Sequence, residues 1–409
     1  METPRPVSLE PLPYLKALAD HLAVEEARAW DWFSRELTGP EHAERMRLEL
    51  LKATYRLDRE DRPELYAAAD RVRERLGVTA TITLYQLQQG DSAALNASLF
   101  YIPGEAHVAF QGPVLEKLQG VELDAVLGHE LGHFRLFEHW ERRYRIAADL
   151  LNALLHDPAS QPVHHESYRL FQLYKEIFCD RCSLAACGDL PAVVSALVKA
   201  ETGLGAVSAE SYLRQTEEIF AKGSPKTDGL SHPECFVRTW ALKLWADGDT
   251  GVDAKVRLII EGRPTLDGMD LLEQRHVAAM TRRLVDTLLA EPWFHGSEAV
   301  LAHARLFFDD FDPPPPPVSD AELAELATIE DEKLAQYFCY VLLDFAACDR
   351  DLEEPALAAA YLVSRRLGWE NHFQSMACKE LKLRKAQYDK LAVDAPDLLA
   401  KARRSGGEA

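Results

Sequence analysis

One stretch of this chain, residues 78–110, reads as β-structure, and apolar residues at helical spacing lie on both sides of it. The run Val78-Thr79-Ala80-Thr81-Ile82-Thr83-Leu84-Tyr85 alternates and is rich in β-branched residues, which suits a pleated strand. Leu99–Ile102 and His107–Phe110 are two further short candidates, with Gly104 in the turn between them. Before this block, Leu15, Leu18, Leu22, Trp30, Trp32 and Phe33 recur with a helical period, as do Leu48, Leu50, Leu51, Tyr55 and Leu57. Pro63 opens another helix that Gly77 closes. After the block, a helix is expected from about Val121 to Arg143 and a second from Tyr168 to Ala186. The pattern predicts an α+β fold, mostly helical, with one small sheet preceding the Val121 helix.

The chain has 409 residues, more than one core usually holds. Asp312 is followed by five prolines, a stiff run that reads as a linker at 313–318. We therefore expect a first domain over 1–250, a helical extension over 251–312 and a helical C-terminal domain over 319–409. The net charge of −20 repels phosphate backbones, so nucleic acid is not an expected partner. No apolar run is long enough for a membrane span, and Met1-Glu2-Thr3-Pro4-Arg5-Pro6 lacks the features of a signal peptide. A cytoplasmic location is the default. Seven cysteines, an odd number, fit a reducing compartment, with several of them as small hydrophobes in helical patterns. Cys179 and Cys182 form a C-x-x-C, but no second pair exists to complete a structural zinc knuckle.

Within the Val121 helix lies His129-Glu130-Leu131-Gly132-His133. Residues four apart on a helix are separated by only about 40° around its axis, so the two imidazoles can hold one metal together. Glu130 is turned about 100° away from His129, beside such a metal, where it can take a proton from metal-bound water and pass it to a leaving amine. Zinc suits two imidazoles and a carboxylate and leaves one position open. Gly128 and Gly132 each weaken the helix by roughly 1 kcal/mol relative to alanine, which makes sense if something approaches it closely. A third ligand is needed, and His139 is on the wrong side of the helix to supply it. Glu176 on the following helix is the candidate. Asp180, four residues on and on the same face, can accept the second ring N–H of a ligand histidine. His164 and His165, in the loop before that helix, are rival ligands.

These residues resemble the HtpX and CAAX-prenyl-protease family of zinc metallopeptidases, the gluzincins. Four motifs fall in order over residues 50–245: Asn96-Ala97 on a strand, His129-Glu130-Leu131-Gly132-His133, Glu176-x-x-x-Asp180, and Ser231-His232-Pro233 followed by Arg238. The resemblance implies a zincin-like domain with one zinc per chain on His129, His133 and Glu176, and Glu130 as general base. It further implies that the strand at Asn96 and Ala97 pairs with an extended peptide or protein substrate, that His232 stabilises an oxyanion, and that Arg238 braces Asp180. Well-known members of the family are membrane-embedded, and this chain has no span, so prenylated substrates are not implied.

The expected activity is zinc-dependent endopeptidase cleavage. An aminopeptidase with the same zinc site, and a metal-retaining scaffold acting through its C-terminal domain, are the two alternatives. In that domain, Phe345 to Pro355 is similar to the acidic turn of TerB-like helical domains, with Arg350 where a glycine is expected. Its acids, Asp349, Asp351, Glu353 and Glu354, can attract a divalent cation, but a helix start with a solvated acidic face is the simpler reading. A protein partner for this domain is a further expectation.

Overall fold

The computed structural model describes residues 9–36, 40–88, 95–223 and 226–405. It is α+β and mostly helical, and it divides into two compact units, one ending at Gly262 and the next beginning at Arg263.

In chain order the first unit comprises α1 (Pro13–Glu25), α2 (Ala27–Glu36), α3 (Pro40–Ala53), β1 (Thr54–Leu57), α4 (Pro63–Arg75), β2 (Thr81–Leu87), β3 (Asn96–Ile102) and β4 (Glu105–Gln111). There follow α5 (Val114–Lys117), α6 (Val121–Glu138), α7 (Arg143–His156), α8 (Pro162–Cys187), α9 (Leu190–Thr202), α10 (Ala209–Ala221), α11 (Cys235–Ala246) and α12 (Val252–Ile260). The four strands form one mixed sheet in the order β1-β2-β4-β3. β2 and β4 run parallel at its centre, and β1 and β3 pair antiparallel at the two edges. Val108, Ala109 and Phe110 of β4 are fully buried, as expected of a central strand covered on both faces.

Tyr55 and Leu57 were grouped above with a helical face, and here the structure corrects the sequence reading. They belong to β1, whose register opposes Tyr55 to Gln86 and Leu57 to Leu84. Thr54 and Leu57 are buried while Tyr55 and Arg56 are exposed, a pattern set by edge pairing to β2 rather than by helix periodicity.

α6 begins after Gly120 with Glu122 and Asp124 in its first turn, where acids complement the helix dipole. Leu127, Leu131 and Phe134 are fully buried, each adding roughly 1.5–3 kcal/mol of hydrophobic stabilisation. The helix stops at Glu138, five residues short of the expected Arg143, because Trp140, Glu141 and Arg142 all take positive φ. Three left-handed non-glycine residues cost roughly 1–3 kcal/mol each. The Trp140 ring is held by Tyr144 and Phe178 at 5.8 and 6.2 Å between centroids and lies under the Arg135 guanidinium. α8 packs along α6. It opens with a capping box between Gln161 and His164 and ends at Gly188, whose φ is +72°.

The second unit contains α13 (Leu271–Leu288), α14 (Glu298–Phe307), α15 (Asp320–Ala327), α16 (Glu332–Ala347), α17 (Glu353–Arg366), α18 (Glu370–Glu380) and α19 (Lys385–Ser405). The stretch expected as a separate extension, 251–312, is shared out: α12 lies in the first unit, α13 and α14 in the second. Nor do the prolines separate two cores, since Phe311 before them and Leu323 after them are buried in the same one with Leu284, Phe338 and Phe373. In the acidic turn, Asp349 accepts bonds from the Ser297 hydroxyl and from the Asp351 N–H, so it organises the local chain. The Glu353 side chain lies outside the described residues.

Among the described residues, no helix is long and apolar enough to cross a membrane.

Candidate metal centre

The closeness of α6 to α8 decides where the site forms. A Cβ on Gly128 would lie 2.8 Å from the Ala186 Cβ, and one on Gly132 would lie 2.8 Å from the Cys182 Cβ and 3.1 Å from the Cys179 Cα. Any larger residue would push the helices apart. α8 is thus the close neighbour that the two glycines called for.

At this crossing the imidazoles of α6 meet the acids of α8. The His129 and His133 rings stand 5.0 Å apart and nearly perpendicular, at 83°. Glu176, almost fully buried, brings one oxygen to 3.1 Å from His129 Nε2 and the other to 3.6 Å from His133 Nε2. The opposite nitrogen of each ring faces a different group on the same helix. His129 Nδ1 lies 3.1 Å from Asp180 Oδ1, and His133 Nδ1 lies 3.2 Å from Cys179 Sγ. Arg238, from α11, clamps Asp180 with two bonds, Nε to Oδ2 at 2.8 Å and Nη2 to Oδ1 at 2.6 Å.

His232 comes from the segment before α11. Its Nε2 lies 3.5 Å from Glu176 Oε2, its Nδ1 is 2.9 Å from Ser231 Oγ, and its ring is more than half exposed. Glu234 pins the segment by accepting the Asp228 N–H at 3.0 Å and the Thr227 hydroxyl, while Arg169 donates to the Gly229 carbonyl at 2.9 Å. A Cβ on Gly229 would fall 2.1 Å from the His232 carbonyl oxygen, so this turn admits only glycine there.

Glu130 is buried beside this cluster, with the backbone of Leu99 on β3 near its carboxylate. β3 is an edge strand, and Asn96 and Ala97 are its first residues. Asn96 is exposed, and its side-chain oxygen accepts the Ala97 N–H at 2.9 Å.

Burial is the largest influence on every ionisable group here, and charge opposes or reinforces it. Burial pushes Glu130 up to about 7, assisted by the nearby Glu176 charge. Burial alone would lower His129, but the bonds to Asp180 and Glu176 outweigh it and raise the ring to about 9. His133 has no carboxylate at Nδ1, so burial keeps it well below the usual histidine range despite Glu176. Burial would raise Glu176, yet His133 and His129 hold it well below the carboxylate range. Asp180 is likewise lowered, against its burial, chiefly by Arg238.

Among the described residues, one group of side chains meets the spacing for a metal ion. His129, His133 and Cys179 each offer a ligand atom within 4.8 Å of the others. Glu176 is the other candidate third ligand, since a different oxygen of its carboxylate faces the Nε2 of each ring, while the sulfur lies nearest His133 Nδ1.

His129, His133, Glu176, Asp180, Arg238 and His232 thus come together, with Glu130 adjoining them and Asn96 and Ala97 on the neighbouring strand. His164 and His165 do not join. His164 Nδ1 accepts the Gln161 N–H at the start of α8, and His165 faces Ser160. The role of Cys179 was missed when Cys179 and Cys182 were weighed only as a knuckle or as apolar filler. Its position three residues after Glu176, on the same helix face, was the available signal. No family model, curated protein or solved structure matches this chain.

Proposed function

We propose that this protein is a zinc-dependent endopeptidase with His129, His133 and Glu176 as ligands in a zincin-like arrangement, and with Glu130 as general base. One observation carries the reading: the 3.1 and 3.6 Å separations between the Glu176 oxygens and the two Nε2 atoms. Ligand atoms bound to zinc at ~2.0–2.2 Å with tetrahedral angles stand about 3.3–3.5 Å apart, and these two separations are close to that.

Zinc held there would supply Lewis acidity, polarising the scissile carbonyl and acidifying water. Glu130, with an affinity for protons near neutrality, takes the proton released as water attacks and delivers it to the departing amine. His232 sits on the exposed side of Glu176, where it can donate to the oxygen that becomes negative during attack. Asp180 takes the Nδ1–H of His129 and leaves Nε2 for the metal, and Arg238 keeps Asp180 ionised and in place. The edge strand β3 offers backbone groups to an extended substrate, next to Glu130. An internal segment of a chain fits such an edge as well as a terminus does, which favours endopeptidase action.

The purified protein should carry one zinc per chain and cleave peptides blocked at both ends, with activity lost to a chelator and restored by zinc. Cleavage of free-amine peptides only would make it an aminopeptidase. Zinc retained with no cleavage of either kind would leave a scaffold and end the peptidase reading.

Zinc uptake should also depend on pH with a definite sign. His129 holds its second proton up to about pH 9, and zinc must displace it from Nε2. Below that pH the proton competes ever more strongly, so apparent zinc affinity should weaken about tenfold per pH unit between roughly 9 and 7. Glu176, held far below this window, adds nothing to the slope. Competition with a chelator of known pH dependence measures it, and a flat profile would contradict the preformed His129–Glu176 contact.

A further inference from the structure

We propose that Cys179 is a positioning residue of the metal centre: its sulfur takes the Nδ1–H of His133 and so leaves Nε2 of that ring as the metal-facing nitrogen. The proposal rests on the zinc reading above. A neutral imidazole carries one N–H, and the nitrogen bearing it cannot bind a metal, so each ligand histidine needs a partner that fixes its tautomer. For His129 that partner is Asp180, at 3.1 Å from Nδ1. For His133 the atom in the equivalent place is Cys179 Sγ, at 3.2 Å, within range for a bond to sulfur.

The arrangement follows from one helix. Glu176, Cys179 and Asp180 occupy positions i, i+3 and i+4 of α8, which share a face. That face presents the ligand carboxylate in the middle and one outer partner for each imidazole. Cys179 is fully buried, so no solvent competes for the His133 Nδ1–H. The approach also depends on Gly132, since a Cβ there would stand 3.1 Å from the Cys179 Cα and 3.4 Å from its Cβ.

A thiol suits this position better than a second carboxylate would. Asp180 is balanced by Arg238, clamped at 2.6 Å. Another buried acid beside Glu176 would add a second negative charge that must be desolvated. The sulfur is a weak acceptor that orients the ring without adding charge.

The test compares Cys179→Ser with Cys179→Ala. Both remove the sulfur, but only serine keeps an atom able to accept the Nδ1–H. Zinc affinity is read by titrating the metal-free proteins with zinc against a fluorescent chelator, and the unfolding midpoint of each metal-free variant is measured alongside. Alanine should bind zinc ~10–100-fold more weakly than the natural protein, and serine should recover most of that loss. The proposal is overturned if alanine binds as tightly as the natural protein, or if serine falls as far as alanine, which would assign the effect to packing or to the sulfur as a ligand. Failure of the zinc reading looks different: the natural protein would then take up no zinc in the same titration, and the positioning role would fall with it.

Discussion

Replacing Glu130 by glutamine is expected to leave one zinc bound per chain while peptide hydrolysis drops ~10²–10⁴-fold, the range lost when a positioned general base is removed. The two side chains have the same shape, and the burial that raises Glu130 to about 7 already disfavours its charged form. A neutral amide in that place therefore leaves the fold undisturbed. What glutamine cannot do is accept a proton. The separation of the two readouts gives the experiment its force, because a variant that had simply unfolded would lose zinc as well. The natural protein should show the matching pH signature. Only the ionised form of Glu130 can act as base, so hydrolysis by the zinc-loaded protein should fall on its acid side, and the glutamine variant should lack this acid limb. Full activity in Glu130→Gln would dispose of the proposed mechanism.

How much of this was legible beforehand depended on how local each signal is. His129 and His133 could be placed together because helix geometry alone puts residues four apart on one face. Glu176 and Asp180 follow by the same rule, once a second helix is granted. His232 is different: Gly229, Glu234 and Arg169 fix its position through a turn that no periodicity describes, so only the motif resemblance pointed to it. The contact of Glu130 with Leu99 also lay beyond spacing rules, since it depends on an edge strand meeting α6. β1 was missed because four residues directly following a helix carry too little alternation to stand apart from it. The proline run misled for a physical reason as well. Polyproline is stiff, but five residues span only about 15 Å, short enough to cross one domain's surface while both flanks stay in a shared core.

A tight sequence constraint lies beside the ligands as well as on them. Gly132→Ala should damage the metal centre, although alanine is the better helix former by roughly 1 kcal/mol. The added methyl would stand 2.8 Å from the Cys182 Cβ and 3.1 Å from the Cys179 Cα. Neither contact is the end of a flexible side chain, so relief requires α8 to move away from α6. That motion carries Glu176 away from both imidazoles, and takes Cys179 and Asp180 with it, because all three ride on the same turn of helix. A displacement on the order of 1 Å at a catalytic centre costs about 100-fold in rate, and overpacking of this kind costs roughly 1–3 kcal/mol of stability. We therefore expect Gly132→Ala to weaken zinc binding and hydrolysis together, unlike Glu130→Gln, which separates them. Chelator competition, peptide cleavage and thermal unfolding on the one variant would check all three effects. Natural zinc affinity in Gly132→Ala would mean that α8 does not need its close seat on α6 to deliver Glu176, and the account of how this fold builds its metal centre would have to be abandoned.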